Sequence, residues 1–404
     1  MQIKPILAAL KHHRLATLLI ALEIALACAV LCNACFLIAN RINAMHMVSG
    51  VNEKSLAFVS VTGFDAEKAK DINARMVAGL SGIQGVKSVG IVNSLPFTPQ
   101  SGRVGISLNP SQDPTVTVVD LYLGDAAALR AMDLHLVEGR MPADDDYQSV
   151  SQFAPSDASV LITRSLANTL WPGSDPLGKE FWCCTSHLRV MGVVDHLVVP
   201  QPEGHDDMER EFSAFIPSRP GKGLAGSYVV NADPKDIQRV FRDAVLVTQK
   251  VAPDVVFDHE NSGTLNDIRE QYFHNDRIMV GMMLGVIFVL MLVTALGIVG
   301  LASFWVQQRR KQIGVRRAVG ATRGDILRYF LAENFLIVTG GILLGVVFAL
   351  ALNLVLMEQY EVPRLPLYYL PIAAVALWAL GQLAVLAPAL RAAAVPPIVA
   401  TRTV

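Results

Sequence analysis

The sequence has 404 residues, of which 52% are hydrophobic and 17% are charged, with a formal net charge of −1. This composition is too apolar for an ordinary soluble protein and too charged in the middle of the chain for a compact bundle of membrane helices. Residues 40–277 carry 21 Lys and Arg against 30 Asp and Glu, whereas the rest of the chain is net basic. The acidic and basic parts are therefore expected to lie in different compartments.

Four apolar runs are long enough to cross a membrane, because a hydrocarbon core of about 30 Å takes about 20 helical residues. They are predicted to be helices, since backbone groups within lipid must hydrogen-bond internally. The predicted spans are 15–39, 278–306, 326–356 and 367–390. The first run is expected to be retained and not cleaved as a signal peptide, because it is longer than the apolar region of such peptides and no clear cleavage site follows it.

Basic residues near the ends of these runs predict the orientation of the chain, because Lys and Arg are enriched in cytoplasmic segments. Residues 1–14, 307–325 and 391–404 are expected to be cytoplasmic, and residues 40–277 and the short loop 357–366 to lie outside. The basic residues that support this orientation are Lys4, Lys11, Arg14, Arg309, Arg310, Lys311, Arg316, Arg317, Arg323, Arg391 and Arg402.

The outer segment 40–277 predicts a mixed α and β domain. Strand, helix and strand patterns occur near both of its ends, which indicates one subdomain built from both ends and a second subdomain inserted at about 103–215. The polar residues 265–277 are predicted to form a stalk helix that runs straight into the second span. The fold class is therefore a membrane protein with four transmembrane α-helices and a large α+β domain inserted between helices 1 and 2.

Two patterns in the outer domain resemble chemical sites. GSDPLGKE at 173–180 matches a phosphate-binding loop except that Glu180 replaces the Ser or Thr that would bind Mg²⁺, and a turn around Gly178 is the better interpretation. Cys183 and Cys184 are adjacent, which is poorly suited to chelating one metal ion. A strained disulfide between them or two free thiols are the open alternatives, and neither a metal site nor catalytic residues are predicted.

Glu23 lies inside the first apolar run, where a carboxylate costs about 2.5 to 3.5 kcal/mol on insertion scales. It is therefore a candidate intramembrane polar site. The alternative is a structural carboxylate that reaches the cytoplasmic interface or pairs with a basic neighbour.

The segment 307–325 combines basic and apolar residues in a pattern that predicts a helix at the membrane surface. Its basic face would point to lipid headgroups or to an acidic partner. Gly314, Gly320 and Gly324 permit a sharp re-entry before Asp325 starts the third span. A loop that only fixes the topology would need the basic residues, but not the ordered apolar and glycine positions.

RKQIGVRRAVGATRGDILRYFLAE at 310–333 resembles the signature between the second and third spans of MacB/FtsX-type ABC transporter permeases. Similarity to the periplasmic core domain of that superfamily extends over Gly139, Arg140, 160–170, 175–179 (DPLGK) and 190–195 (VMGVVD). The resemblance implies a coupling helix that docks on a cytoplasmic ATPase, with Gln312 where the family usually has Glu. The implied coupling residues are Arg309, Arg310, Lys311, Gln312, Ile313, Gly314, Arg316, Arg317, Gly320 and Ala321.

The resemblance also implies a non-catalytic permease subunit of an efflux system in the bacterial inner membrane, which passes ATP-driven motion of its spans to the periplasmic domain. No cofactor is expected on this chain. Since the sequence contains no complete Walker motif, ATP and Mg²⁺ would bind to a separate cytoplasmic ABC ATPase dimer. The other implied partners are a second permease chain (the same or a paralogue), a periplasmic adaptor, a TolC-like outer-membrane channel and membrane lipid, with no nucleic acid.

Two other functions fit the same resemblance. An FtsX-like permease would activate periplasmic cell-wall hydrolases, and a lipoprotein-releasing permease would take its cargo laterally from the membrane. The size of the outer domain favours the exporter over the hydrolase activator. The cargo itself has no signature in the sequence.

Overall fold

The computed structural model describes residues 14–100, 102–111, 114–150, 154–184, 186–202, 208–360 and 364–394. The predicted cytoplasmic ends before Arg14 and after Ala394, and residues 361–363 of the predicted loop, lie outside the described residues. The chain divides into two compact units. Residues 47–274 form the insert domain, and the residues on either side of it in the sequence form the membrane unit.

The α-helices of the described residues are α1 (Arg14–Met45), α2 (Ala69–Ser81), α3 (Ala126–Met132), α4 (Arg164–Leu170), α5 (Ile237–Val251), α6 (Leu265–Tyr272), α7 (His274–Gln308), α8 (Arg310–Ala318), α9 (Arg323–Tyr360) and α10 (Tyr369–Ala393). Four of them, α1, α7, α9 and α10, are long and apolar enough to cross a membrane. The first three of these extend beyond the predicted apolar runs at both ends, because polar residues that flank a span continue its intrahelical hydrogen bonds.

In the membrane unit, α9 packs along α1 through small residues that let the two backbones approach closely. A Cβ atom on Gly341 would lie 2.7 Å from Ile24 Cβ, and one on Gly345 would lie 2.5 Å from Cys28 Cβ. A side chain at either glycine would therefore push α1 and α9 apart.

Two buried asparagines add polar contacts between the spanning helices. Asn33 of α1 donates a hydrogen bond from Nδ2 to Ala349 O of α9 at 3.1 Å. Asn334 of α9 donates from Nδ2 to Gly381 O of α10 at 2.9 Å. Because an amide without a partner is costly in an apolar bundle, these bonds favour one register of α9 against both neighbours.

The strands of the insert domain are β1 (Leu56–Thr62), β2 (Val86–Ile91), β3 (Arg103–Ser107), β4 (Thr117–Gly124), β5 (Leu136–Gly139), β6 (Gln148–Ser149), β7 (Asp157–Thr163), β8 (Glu180–Cys183), β9 (Ser186–Val194), β10 (Ser213–Arg219), β11 (Ser227–Ala232), β12 (Val256–Phe257) and β13 (Gly263–Thr264). They form two sheets. The first has the order β12, β1, β11, β2, with β13 also paired to β1, so it draws its strands from both ends of the insert domain.

Helices α2 and α5 bury apolar side chains in the same core as the first sheet. On α2, Ile72, Met76 and Leu80 recur every four residues and are fully buried. On α5, Val240 and Ala244 are also four residues apart and fully buried. This spacing places each set on one face of its helix, and the sheet that they cover is a stable layered unit.

The second sheet has the order β4, β3, β8, β9, β7, β10, β6, with β5 paired to β9. β4 also pairs with β10, in parallel register from Ser213 opposite Asp120 to Pro217 opposite Gly124, so the path closes on itself. The ring consists of β4, β3, β8, β9, β7 and β10, each of which pairs on both sides, while β6 pairs with β10 outside the ring. Together with the four apolar helices, the two sheets confirm the predicted fold class of four spans and a large α+β domain between the first and second.

The predicted stalk helix 265–277 is divided in two, so the prediction of one continuous helix is wrong. α6 ends at Tyr272 and α7 begins at His274, while Phe273 between them has φ −88° and ψ 10°. The ring of Phe273 is buried and packs on Phe97, with ring centroids 5.6 Å apart. Burying a Phe side chain contributes about 1.5–3 kcal/mol, which outweighs the loss of an intrahelical hydrogen bond of about 1 kcal/mol.

Candidate functional site

The segment between α7 and α9 forms a short helix, α8, with a defined end. Gly320 has φ 107°, in the left-handed region, which glycine adopts without strain. Its N–H donates to Arg317 O at 3.2 Å, and Ala321 N–H donates to Arg316 O at 3.0 Å. This pair of bonds is a Schellman motif, so Gly320 and Ala321 terminate α8 and turn the chain toward α9.

A capping box begins α9. Thr322 Oγ1 accepts a hydrogen bond from Asp325 N–H at 3.2 Å, and Asp325 Oδ2 accepts one from Thr322 N–H at 3.0 Å. The N-cap of α9 is therefore Thr322, which corrects the expectation that Asp325 starts the third span. The fixed start of α9 and the fixed end of α8 leave only a short connection between the two helices.

The inner face of α8 is attached to the membrane unit. Ile313 and Gly314 are buried, and Arg317 Nη1 donates a hydrogen bond to Ala393 O of α10 at 3.2 Å. Burial of an Ile side chain contributes about 1.5–3 kcal/mol, so α8 is held to the ends of α9 and α10. The residues that pack around Ile313 are Ile326, Phe330, Ala389, Ala392 and Ala393.

Arg309, the residue before α8, is turned inward. Its Nη1 lies 2.9 Å from both carboxylate oxygens of Glu333 on α9, and the two side chains are 13% and 2% exposed. The guanidinium also lies 5.6 Å from the centre of the Trp305 ring. Arg309 therefore belongs to the interior and not to the exposed basic surface that the sequence pattern predicts.

Sequence reasoning missed Glu333. A signal was present, because an ionisable residue within an apolar run requires a buried partner. Arg309 lies at the end of the preceding span, which makes it a natural candidate for that partner. The pattern of basic residues around α8 instead suggested that all of them face outward.

The outer face of α8 combines exposed cations with exposed apolar side chains. Val315 is 51% exposed and Val319, immediately after α8, is 84% exposed. Lys311, Val315 and Val319 are spaced four residues apart, which aligns them along one side of the helix. Such a surface is suited to docking on a partner that offers both an apolar depression and acidic groups. The exposed polar residues of this face are Arg310, Lys311, Gln312 and Arg316.

A cleft of about 120 Å³ opens between α8 and the first turns of α9. The guanidinium of Arg316 lies 5.1 Å from the centre of the Tyr329 ring, at the side of this cleft. The lining residues are Arg309, Gln312, Ile313, Arg316, Ile326, Tyr329 and Phe330. Its wall is therefore polar and basic on one part and apolar on another.

Within the insert domain, Arg269 of α6 joins the residues by which the chain enters the domain to those by which it leaves. Its Nη1 donates to Glu53 Oε1 at 2.5 Å, and its Nη2 donates to Met47 O at 2.6 Å. The guanidinium lies 5.0 Å from the centre of the Phe97 ring. Phe97 has φ 69°, a conformation that bulky residues adopt only where the surroundings hold it. No sequence pattern pointed to this cluster.

Glu23 lies against α7. A Cβ atom on Gly297 would be 2.6 Å from Glu23 Oε2, so the glycine makes room for the carboxylate. Glu23 Oε1 is buried without a hydrogen-bond partner among the described residues. No Lys or Arg side chain of the described residues pairs with Glu23 either, so its role as an intramembrane polar site stays a prediction.

The two adjacent cysteines differ in their surroundings. Cys183, at the end of β8, is buried and carries a free thiol, and burial raises the pKa of that thiol to about 12. Cys184 is exposed and has φ 50°. The Cys183 thiol is free in the structure, and the choice between a disulfide and free thiols stays a prediction. Among the described residues, no group of three or more His, Cys, Asp or Glu is arranged to hold a metal ion.

The segment 173–180 is a turn between α4 and β8. Gly173 and Gly178 have φ of 68° and 75°. Glu180 accepts hydrogen bonds from the guanidinium of Arg189, the closer at 2.7 Å. The Glu180 carboxylate is therefore paired with Arg189 of the neighbouring strand β9.

Residues 284–397 match the family model of the FtsX-like permease C-terminal domain. The macrolide export ATP-binding/permease protein MacB of Aggregatibacter actinomycetemcomitans is 22% identical over 302 residues, which cover 74% of this chain and 44% of the relative. The protein of the same name from Sodalis glossinidius is 25% identical over 356 residues, which cover 85% of this chain and 51% of the relative. The chain thus spans about half or less of the length of these two relatives.

A solved structure of the periplasmic region of MacB from Actinobacillus actinomycetemcomitans is 16% identical in sequence. The match covers 56% of this chain and 95% of that chain, with a TM-score of 0.33.

The family match and the geometry of the membrane unit concern the same residues. The range 284–397 contains α8 with its anchored inner face and the two spans that follow it. The alignment with the Sodalis relative is long enough to include most of the insert domain as well. Residues 284–397 thus match the FtsX-like permease C-terminal domain, and most of the chain is similar in sequence to the MacB ATP-binding/permease proteins.

Proposed function

We propose that this chain is the permease subunit of an ABC-type export system, in which ATP-driven motion of the spanning helices is passed to the insert domain. The observation that carries the proposal is the construction of α8, whose inner face is fixed to α9 and α10 while its outer face is exposed. A helix held in this way moves the spans when its outer face is pushed. The match of 284–397 to the FtsX-like permease C-terminal domain, which contains α8, supports the same role.

The ten predicted coupling residues divide into two groups in this proposal. Arg310, Lys311, Gln312 and Arg316 are exposed on α8, and of these Arg310 and Lys311 contact a separate cytoplasmic ABC ATPase dimer, together with Val315 and Val319. ATP and Mg²⁺ bind to that ATPase, and this chain supplies no catalytic group. The residues that instead hold α8 in place are Arg309, Ile313, Gly314, Arg317, Gly320 and Ala321.

Ion pairs between neighbouring segments support the transmission of force. In the membrane unit, Arg41 of α1 is paired with Asp276 at the start of α7, and Arg309 after the end of α7 is paired with Glu333 of α9. In the insert domain, Arg269 holds the entering and leaving segments together. Because each pair ties one segment to the next, displacement of one imposes displacement on its partner.

In the proposed arrangement the insert domain lies in the periplasm, and both ends of the chain lie in the cytoplasm of a bacterial inner membrane. The basic residues that flank the spans favour this orientation. A second permease chain, the same or a paralogue, completes the membrane part, and the largely exposed α7 offers a surface for it. Since the MacB relatives are named for macrolide export, we propose that a periplasmic adaptor and a TolC-like outer-membrane channel complete the export path.

The test is co-purification of the tagged full chain from its native membrane, followed by identification of the bound proteins by mass spectrometry. The double variant Arg310→Glu with Lys311→Glu reverses two exposed charges on the outer face of α8. Arg323→Glu makes the same kind of change at an exposed position outside α8 and serves as the matched control.

We expect an ABC ATPase to accompany the wild-type chain and the control, and to be lost from the double variant. Retention of the ATPase by the double variant, or no ATPase with the wild type, would contradict the proposal. The other proteins in the same sample separate the related functions. An adaptor and a channel support export, a cell-wall hydrolase supports the FtsX-like alternative, and a lipoprotein chaperone supports lipoprotein release.

A further inference from the structure

The cleft between α8 and the first turns of α9 contains a cation whose charge is not balanced within the membrane unit. Arg309, at one side, is neutralised by Glu333. Arg316, at the other side, has no carboxylate within 4 Å among the described residues, and its guanidinium lies over the ring of Tyr329. The cleft therefore carries a net positive charge.

The chemistry of Arg316 suits an anion with several oxygen atoms. A guanidinium that lies over an aromatic ring keeps its in-plane N–H groups available as donors. These N–H groups form a planar fork that matches the oxygens of phosphate. Gln312 and Tyr329 add neutral polar groups to the same rim. A cleft volume of about 120 Å³ leaves room for a phosphate group.

The position of the cleft in the chain places it at a boundary between apolar and polar surroundings. The apolar part of α7 ends just before Arg309, and that of α9 begins at Ile326. Tyr329 lies near the start of the apolar part of α9, where aromatic residues that prefer a membrane interface are common. The inner wall of the cleft is formed by Ile313, Ile326 and Phe330, which offers an apolar surface beside the polar rim.

We propose that this cleft binds the phosphate of an anionic phospholipid headgroup, with Arg316 as the principal donor and the glycerol end of the acyl chains against the apolar wall. The inference depends on α8 lying at the membrane surface, but not on the proposed ATPase contact. Lipid is favoured over an acidic protein side chain because the wall beside the cation is apolar and because the cleft lies where the apolar parts of α7 and α9 end. The bound lipid would hold α8 at a fixed depth beside α9.

The test uses the full chain purified in a neutral detergent, without an ATPase, and titrated with phosphatidylglycerol in native mass spectrometry. Arg316→Gln removes the charge that faces the cleft, and Gln312→Ala removes a neutral group from the rim. Arg310→Gln removes one charge from an exposed position of the same helix that does not line the cleft. Phosphatidylcholine and inorganic phosphate are titrated in parallel.

We expect Arg316→Gln to weaken phosphatidylglycerol binding about tenfold, because a charge-assisted hydrogen bond is lost, and Gln312→Ala to weaken it less. Arg310→Gln should bind as the wild type does, and phosphatidylcholine should bind more weakly than phosphatidylglycerol. Equal losses in Arg310→Gln and Arg316→Gln would overturn the site in favour of diffuse surface charge. Displacement of the lipid by an equal concentration of inorganic phosphate would show a small-anion site and not a lipid site.

A third result would assign the cleft to a protein partner. If Arg316→Gln binds phosphatidylglycerol as the wild type does but loses an ABC ATPase in the co-purification, an acidic side chain of the ATPase occupies the cleft and the lipid inference is wrong. If lipid binding behaves as expected while no ATPase co-purifies, the proposed function fails and the lipid site stands.

Discussion

Arg309 and Glu333 form an ion pair in which one guanidinium nitrogen lies 2.9 Å from each carboxylate oxygen. The pair joins the residue between α7 and α8 to the third turn of α9. With the two side chains 13% and 2% exposed, solvent provides little compensation if either partner is removed. The geometry of α8 relative to α9 therefore depends on this pair.

Removing one partner of this pair should destabilise the membrane unit strongly. We expect Glu333→Ala to lower the free energy of unfolding by about 3–5 kcal/mol, because an unpaired buried guanidinium remains. Replacing both residues by apolar ones, Arg309→Met with Glu333→Leu, should cost much less than either single change. Thermal unfolding of the purified chain in detergent measures both. A double variant as unstable as Glu333→Ala would show that packing, and not the charge pair, holds this region.

The contact between α1 and α9 can be tested with two adjacent glycines. A Cβ atom on Gly341 would lie 2.7 Å from Ile24 Cβ and 2.9 Å from Ala21 O, whereas one on Gly340 would meet nothing within 4 Å. Gly341→Leu should therefore lower stability by about 1–3 kcal/mol or more through overpacking. Gly340→Leu changes the same residue type at the next position and should leave the melting temperature nearly unchanged. Equal effects would indicate a general cost of Leu in α9 and not a contact with α1.

The apolar runs predicted the four spans because length and hydropathy are local properties of the sequence. The closed path of the second sheet could not be predicted in the same way, since the pairing of β4 with β10 joins residues about a hundred positions apart in the chain. The break at Phe273 also has a distant cause, the burial of its ring against Phe97. Short polar segments give no indication of such partners.

The sequence predicted a basic helix at α8, but not which of its side chains face inward. The alternation of basic and apolar residues indicated a helix at α8, and Gly314, Gly320 and Gly324 indicated a turn before the third span. Which cations face inward depends on the neighbours of the helix, and those are supplied by α9 and α10. Arg309 turns inward because it forms an ion pair with Glu333, and Arg317 turns inward because it donates a hydrogen bond to Ala393 O.

The clamp formed by Arg269, that is its bonds to Glu53 and to Met47 O, should keep residues 47–55 of the insert domain ordered. Arg269→Ala leaves the carboxylate of Glu53, which is 13% exposed, and the carbonyl of Met47 without these donors. We expect faster hydrogen exchange at residues 47–55 and a loss of about 2–4 kcal/mol in stability. Hydrogen-exchange mass spectrometry of the full chain measures the first effect directly.

Arg189→Ala is the matched control for this clamp. Its ion pair with Glu180 is more exposed, at 58% and 33% of the side-chain surface, so its removal should cost less than about 1 kcal/mol. Exchange at 47–55 that is unchanged in Arg269→Ala would mean that the clamp does not order this segment.

The two adjacent cysteines should differ in reactivity toward maleimide. The thiolate is the reactive form, and burial raises the pKa of the Cys183 thiol to about 12, so at pH 7.5 to 8 Cys183 is almost entirely protonated as well as inaccessible. Cys184 is exposed and should be labelled. Peptide mapping of the labelled native chain locates the modification, and Cys184→Ser should abolish labelling of the insert domain. Labelling of Cys183 in the native chain would contradict its burial.

Substitutions on the two faces of α8 should differ in their effects on stability and on stimulation of the partner ATPase. Val319 is 84% exposed, so Val319→Ser should leave the melting temperature unchanged but reduce stimulation of the partner ATPase, since an apolar contact of the outer face is lost. Ile313 is 5% exposed, so Ile313→Ala should lower stability by about 2–5 kcal/mol as well as reduce stimulation. ATPase activity in proteoliposomes and thermal unfolding of the same preparations measure the two effects. If Val319→Ser stimulates the ATPase as the wild type does, Val319 lies outside the contact, and the outer face couples through its charged residues alone.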